Sequence, residues 1–229
     1  MTEFLWEGRA QPTRGPKPAL SLERIAAAAI EIADAEGLAA VSMQRVAAEL
    51  GFTKMSLYRY LPGKAELVAL MAECAIGEPP TLGARTWRAG LKEWSHRLLA
   101  AYLAHPWALE ATVGSRPIGP NELGWLECAL AILAKTGLSG SERLDTIAVL
   151  AGHVRMIAQQ VGANRQPETQ LVPTITELLR RHGERFPALA ATMTAAATEG
   201  AHAQAFDFGL DRILDGLRAL IAQRRRLAT

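Results

Sequence analysis

Apolar residues recur at intervals of three and four positions along most of the chain, which is the pattern of amphipathic helices rather than of strands. The first such stretch follows Ser21, a residue type that favours a helix start, and stops at Gly37, a type that favours a helix end. The spacing predicts helices over about 21–36, 64–76, 85–104, 106–113, 121–137, 140–162 and 204–224, with one or two more within about 171–197. No stretch predicts a strand, so we expect an all-α fold.

Residues 42–64 read as two further short helices joined by a turn. Ser42 and Thr53 are suited to cap the two helices, and Gly51 permits the positive φ of a tight turn. The inward positions are apolar: Val46, Ala47, Leu50, Leu57 and Leu61. The outward positions of the second helix are polar, aromatic or cationic, which suits a DNA groove. This layout predicts a helix-turn-helix.

The segment GEPPTLGA, residues 77–84, is the strongest linker signal in the chain, because Gly and Pro interrupt regular structure. We therefore predict a flexible basic arm at 1–20, a helix-turn-helix DNA-binding domain at 21–76 and a helical-bundle domain at 85–229. The last helix carries a wide apolar stripe: Phe206, Leu210, Ile213, Leu214, Leu217, Leu220 and Ile221. This stripe fits either burial inside its own domain or contact with a second subunit.

The formal net charge is only +2, so the overall charge does not indicate a nucleic-acid partner. The distribution of charge does indicate such a partner, since residues 51–65 hold three cations and no acid, a local charge of +3. The arm carries three more cations, Arg9, Arg14 and Lys17, partly offset by glutamates. They could follow a phosphate backbone, or the arm could serve only as a solubilising tail.

The composition, 49% apolar and 21% charged over 229 residues, is typical of a soluble globular protein. We expect a cytoplasmic protein without a membrane partner, because neither a secretory signal nor a long apolar run is recognisable. Cys74 and Cys128 lack metal-ligand spacing, so we expect small buried thiols, although a disulfide would also fit two cysteines. No motif calls for a cofactor.

One enzymatic alternative is a metal-dependent helical bundle. Glu93 with His96, and Glu199 with His202, have the carboxylate and histidine spacing found in di-iron bundles. Glu93 is equally well placed to pair with Arg97 in solvent, and the other helices offer no central pair of glutamates. Phosphate-binding loops, nucleophile elbows and dinucleotide motifs are absent from the sequence. We therefore expect a protein that is not an enzyme.

The segment LGFTKMSLYRYLPGK resembles the recognition segment of TetR-family transcriptional regulators. The second half is similar to the tetracycline-repressor-like C-terminal domain through HPW at 105–107, SRPIGPN at 115–121 and FDFGLDRILDGL at 206–217. The resemblance implies a homodimeric repressor that binds a pseudo-palindromic operator and is released by a small-molecule effector. It places the dimer contacts on helices at about 140–161 and 204–223, and makes 85–229 the effector-binding and dimerisation domain.

By the family pattern, four residues fall where base edges are touched: Gln44, Lys54, Met55 and Ser56. Five others fall where phosphates are held: Ser42, Thr53, Tyr58, Tyr60 and Lys64. The side-chain chemistry agrees with this division, because amide, ammonium and apolar groups suit base edges and hydroxyls suit phosphate oxygens. The two tyrosine rings could also seal the small helical core.

The resemblance further implies an effector pocket in the second domain. Candidate lining residues combine aromatic surface with a few polar groups: Trp94, Tyr102, Trp107, Thr112, Trp125, Cys128, His153, Met156 and Gln160. Thr112 stands where the tetracycline repressor has a metal-coordinating histidine, so we expect a different, largely apolar ligand. Arg155 could pair with an acidic effector or could be an ordinary exposed or interface arginine.

Overall fold

The structure is a computed structural model that describes residues 3–6, 19–83, 86–163, 171–199 and 205–227. These residues form α-helices, two short 3-10 helices at 38–40 and 183–185, and no strand, which confirms the all-α class. The α-helices are α1 (Glu3–Trp6), α2 (Leu22–Glu36), α3 (Met43–Glu49), α4 (Lys54–Tyr58), α5 (Lys64–Ile76), α6 (Trp87–Ala104), α7 (Ala108–Ala111), α8 (Pro120–Leu133), α9 (Gly140–Ala163), α10 (Leu171–His182), α11 (Pro187–Glu199) and α12 (Ala205–Leu227).

Helices α2 to α5 enclose the first hydrophobic core. The Ser21 hydroxyl accepts the N–H of Arg24 at 3.3 Å and so caps α2, which ends at Gly37 with φ 86°. Both residues act as the sequence predicts. Apolar side chains from each of these helices are fully buried in the core, including Ile25, Val46, Leu57, Leu67 and Met71.

Helices α6, α8, α9 and α12 enclose the second core. The apolar stripe of α12 supplies four buried side chains, Leu210, Leu214, Leu217 and Ile221. Gly209 permits a close approach of α9 to α12, since a Cβ added there would lie 2.4 Å from Cε1 of His153. Much of the stripe therefore packs within its own domain, the first of the two predicted alternatives.

The short helix α7 follows the linker in sequence but packs into the first core. Trp107, Ala108 and Ala111 are buried there, beside residues of α2 and α5. The first core therefore also contains residues that follow α6 in sequence. Tyr102 borders both cores.

The N-terminal helix α1 differs from the free arm that the sequence predicts. Leu5 is buried in the first core, and Trp6 donates its ring N–H to the carbonyl of Ile118 at 3.1 Å. Burial of these apolar side chains is favourable, because it removes apolar surface from water. The arm cations Arg9 and Arg14 lie outside the described residues, as does Lys17.

Three smaller differences from the sequence predictions have local causes. Helix α8 ends at Leu133 rather than near 137. The Thr136 hydroxyl donates to the Leu133 carbonyl at 2.6 Å, and such a side-chain bond competes with continuation of the helix. Cys74 is exposed rather than buried, and both cysteines are free thiols. The predicted one or two helices after residue 170 are two, α10 and α11, whose described side chains are exposed or half-buried.

Candidate DNA interface and ligand cavity

The segment from Ser42 to Tyr58 has the geometry of a helix-turn-helix. The Ser42 hydroxyl accepts the N–H of Arg45 at 3.2 Å, and the Thr53 hydroxyl accepts the N–H of Ser56 at 3.3 Å, so both helices are capped as predicted. Gly51 adopts φ 73° in the turn between them. These local bonds fix the angle at which α4 leaves the turn.

Helix α4 has one buried and one exposed face. Leu57 is fully buried, whereas Met55 is 71% exposed and Tyr58 is 38% exposed. The ammonium of Lys54 lies over the Tyr58 ring, 5.4 Å from its centroid. Because Lys54 forms no ion pair with any described carboxylate, its charge is available to an external anion.

The remaining predicted DNA contacts lie around this face. Gln44 and Lys64 are exposed, as are the capping residues Ser42 and Thr53. Ser56 is half-buried, and its hydroxyl lies 3.0 Å from that of Thr53. Together with Lys54, Met55 and Tyr58 of α4, we call these residues the reading face.

Tyr60 is the exception among the predicted phosphate contacts. Its hydroxyl donates to the carbonyl of Leu20 at 3.0 Å, and its ring packs against the first core. A tyrosine hydroxyl has a single hydrogen to donate, so this one is unavailable to a phosphate oxygen in this conformation. The structure therefore favours the alternative that the Tyr60 ring seals the core.

A nearby cation is neutralised within the chain. Arg45 bonds the carboxylate of Glu36 through both terminal nitrogens, with 2.8 Å between Nη1 and Oε2. This pairing lowers the pKa of Glu36 and raises that of Arg45. Arg45 therefore adds less positive charge to the reading face than its position would suggest.

The second domain has a cavity of about 470 Å³ between the α6–α7 region and α9. Its lining combines apolar and polar side chains: Pro106, Trp107, Leu109, Glu110, Val113, Arg155 and Gln159. A volume in this range suits a small organic ligand. Of the nine residues predicted to line a pocket, only Trp107 lines this cavity, and it is joined there by Arg155, the predicted alternative partner of an acidic effector.

Two more predicted residues, Tyr102 and Thr112, bond Arg155, which lines the cavity. The guanidinium of Arg155 donates to the hydroxyls of Tyr102 at 3.0 Å and Thr112 at 2.7 Å. It also donates to the carbonyl of Leu109 at 2.6 Å. Arg155 is thus half-buried and anchored from three sides, rather than an exposed surface arginine.

The other predicted pocket residues do not line the cavity. Trp94 and Trp125 are buried in the second core, where the indole N–H of Trp94 donates to the Trp125 carbonyl at 3.0 Å. His153 bonds the Phe206 carbonyl through Nε2 at 2.9 Å. Of the remaining three, Cys128 donates to the Pro80 carbonyl, and Met156 and Gln160 are exposed. The residue types in the sequence therefore did not distinguish aromatic and polar residues of the core from those that line the cavity.

Two acidic residues that the sequence analysis did not identify join segments that are distant in sequence. Asp34 of α2 accepts the indole N–H of Trp107 at 2.7 Å, and its Oδ1 lies 2.9 Å from Nδ1 of His105. Glu73 of α5 accepts the backbone N–H groups of Asn121 and Glu122 at the start of α8. The position of Glu73 in an otherwise apolar stretch of α5 was a signal that could have indicated this role.

Burial raises the pKa of Glu73 above its ordinary value, although its two backbone hydrogen bonds act in the opposite direction. Only 7% of the surface of this residue remains exposed. It therefore acts as a buried cap that ties α5 to α8.

Among the described residues, the metal-enzyme alternative finds no metal site. Glu93 bonds Arg97 at 2.7 Å, as predicted, and His96 lies 3.2 Å from a carboxylate oxygen of Asp207. No group of three potential ligands occurs among the described residues. His202 and the side chain of Glu199 lie outside the described part of the chain. Within the same part, no helix combines the length and apolar character needed to cross a bilayer.

Known proteins share both the sequence and the fold of this chain. Residues 20–71 match the sequence profile of bacterial regulatory proteins of the tetR family, and residues 79–221 match that of the tetracyclin repressor-like C-terminal domain. The HTH-type transcriptional repressor DrrR1 of Streptomyces coeruleorubidus is 41% identical, over 97% of this chain and 86% of its own. An HTH-type transcriptional regulator of Saccharopolyspora erythraea is 30% identical, over 89% and 86%.

Among solved structures, apo ActR of Streptomyces coelicolor has a TM-score of 0.76 and 26% identity, covering 91% of this chain and 99% of ActR. ActR in complex with actinorhodin has a TM-score of 0.72 and 27% identity, covering 87% and 96%. Both halves of the chain thus match the same family in sequence and in fold. The chain belongs to the TetR family of helix-turn-helix transcriptional regulators, which bind DNA and are not enzymes.

Proposed function

We propose that this protein is a repressor that binds a pseudo-palindromic operator as a homodimer and leaves it when a small, largely apolar effector occupies the second domain. The observation that carries the DNA-binding part is the reading face, where Lys54 and Met55 are exposed while Leu57 of the same helix is buried. The 41% identical relative is itself named a repressor. A repressor of this kind acts in the cytoplasm, where the bacterial chromosome lies.

The reading face has the chemistry needed for a major groove. An ammonium such as that of Lys54 donates to guanine O6 or N7, an amide such as that of Gln44 bonds adenine, and the Met55 side chain packs on a thymine methyl. The flanking hydroxyls of Ser42, Thr53 and Tyr58, with the Lys64 ammonium, suit phosphates. Ser56 lies between the two groups.

Dimerisation is supported by apolar surface on α9 and α12. Leu144 is 53% exposed and Val149 is 54% exposed, although both lie on a helix whose other face belongs to the core. A cleft of about 310 Å³ beside Val149 is also lined by Ile213 and Leu220 of α12. Exposed apolar side chains that continue across two adjacent helices are typical of a subunit interface. In a dimer each protomer would present one reading face to each half-site.

Effector control is supported by the position of the cavity. Trp107 lines the cavity and also bonds Asp34 of α2, so a change in the cavity wall is transmitted to the helix-turn-helix unit through a direct contact. A ligand shifts the DNA-competent population only as far as its affinity differs between the two conformations. ActR, a structural neighbour, has been crystallised both without ligand and with actinorhodin. We propose a DNA-binding domain at 21–76, preceded by an arm at 1–20, and an effector-binding and dimerisation domain at 85–229 whose short helix α7 packs against the DNA-binding domain.

Selection of bound fragments from random duplex DNA, at a stated ionic strength, tests the proposal. We expect a recovered site with two related half-sites about one helical turn, or a small multiple of it, apart. The Lys54→Ala dimer loses one base contact per half-site, each contributing about 1–3 kcal/mol, so its affinity for that site should fall at least about 30-fold. Tyr58→Ala should also weaken binding.

Lys135→Ala is the matched control, because it removes the same charge from an exposed position outside the reading face. Its affinity should stay within about twofold of the unmodified protein, with circular dichroism showing equal helicity for all variants. Recovery of no preferred sequence, or an unchanged affinity in both reading-face variants, would contradict the proposal.

A further inference from the structure

The charge of Arg155 is held in place by neutral groups alone. Its Nη1 donates to the hydroxyls of Tyr102 and Thr112, and its Nη2 donates to the carbonyl of Leu109. A guanidinium has five N–H groups, so these bonds leave Nε–H and one Nη2–H without an acceptor among the described residues. Nε and Nη2 form one of the edges through which arginine binds a carboxylate with two parallel bonds.

No described carboxylate compensates this charge. Arg155 forms no ion pair with any described acid, although most arginines of the described second domain pair with a glutamate or aspartate, such as Arg97 with Glu93. Glu110 lines the same cavity but is exposed and does not contact the guanidinium. A half-buried cation without a counter-charge is less stable than one that is paired, so the site favours an anion.

The cavity beside Arg155 offers both volume and apolar surface. Its volume of about 470 Å³ exceeds what one carboxylate group needs, and Trp107, Leu109 and Val113 supply apolar wall. Trp107 is fixed by its bond to Asp34 and is only 6% exposed, so it forms a rigid part of the wall, whereas Val113 is 68% exposed. An apolar body with one acidic group would match both parts of the lining.

We propose that this cavity binds a small molecule with an apolar ring body and one anionic group, and that Arg155 recognises the anion. The inference rests on the proposed function, since it specifies the chemical class of the effector. It also refines the sequence-based expectation of a largely apolar ligand, because it adds one acidic group. The three neutral bonds hold the guanidinium in position before the ligand arrives, which lowers the entropic cost of binding.

Calorimetric titration of the full chain, without DNA, tests this directly with naphthalene-2-carboxylate and anthracene-2-carboxylate and with their neutral amides as probes. A charge-assisted bidentate contact should make at least one acid bind about tenfold or more tightly than its amide. Arg155→Gln should abolish that preference. Equal binding of acids and amides, no binding of either acid, or a preference that persists in Arg155→Gln would overturn the proposal.

A second variant keeps the test decisive if Arg155→Gln fails to fold. Gln159 lines the cavity one helical turn after Arg155, so Gln159→Glu places a competing carboxylate beside the guanidinium without removing its three bonds. The acid should then bind about tenfold more weakly while the amide is unaffected. The same substitution at the exposed Gln223 of α12 is the control and should change neither affinity.

The two proposals can fail separately. The selection of operator DNA uses protein without ligand. Its failure would refute the proposed repressor function, while the calorimetric comparison of acid with amide could still be interpreted. Conversely, a recovered operator together with equal binding of acid and amide would refute only the chemical class of the effector.

Discussion

Asp34 should couple the DNA-binding unit to the cavity wall with an energy that can be measured. Its Oδ1 accepts the indole N–H of Trp107 at 2.7 Å, and the Nδ1 of His105 lies 2.9 Å from the same oxygen. Asp34→Ala removes the acceptor, and Trp107→Phe removes the indole donor while keeping an aromatic ring. If this hydrogen bond stabilises the fold, the double variant should lose less free energy of unfolding than the two single variants lose in sum.

The structure sets the expected size of this coupling. A hydrogen bond to a charged group contributes about 1.5–3 kcal/mol, but the Asp34 side chain is 36% exposed, so solvent screening lowers the expectation to about 1–2 kcal/mol. Urea unfolding of the original protein, both single variants and the double variant gives the coupling energy, at one protein concentration because the proposed dimer makes stability concentration-dependent. Additive effects, with a coupling below about 0.5 kcal/mol, would refute the reasoning.

Two further predictions concern the dimer and the buried cap of α8. Val149→Arg should convert the dimer into monomers in size-exclusion chromatography with light scattering, because a charge would enter the apolar interface. Leu178→Arg on α10 should not, although its 52% exposure is close to the 54% of Val149. Burial raises the folded-state pKa of Glu73 above 4.5, so its contribution to stability should fall as pH rises from the unfolded-state pKa through the folded-state value. The free energy of unfolding of Glu73→Gln minus that of the original protein should therefore be larger at pH 7 than at pH 4. A difference that does not change with pH would count against a raised pKa of Glu73.

Local features of the fold were readable from the sequence because they depend on neighbouring residues. The caps at Ser21, Ser42 and Thr53 bond backbone groups three positions away, and the positive φ of Gly51 follows from its missing Cβ. Helical periodicity likewise indicated the buried face of α12, since residues three and four positions apart lie on the same face of a helix. The family resemblance then supplied the candidate reading face on the same short segment.

Tertiary structure alone decided which distant groups meet. Tyr60 bonds the Leu20 carbonyl 40 positions away, and Arg155 bonds the Leu109 carbonyl 46 positions away. Neither pairing leaves a mark in hydrophobic periodicity, because a polar side chain on a half-buried helix face looks the same whether it meets solvent, a carbonyl or a cavity. The sequence by itself thus determined the helices, their caps and the family. Packing determined that α7 returns to the first core, that Tyr60 serves that core, and that the cavity is lined by Arg155 rather than by Trp94 and Trp125.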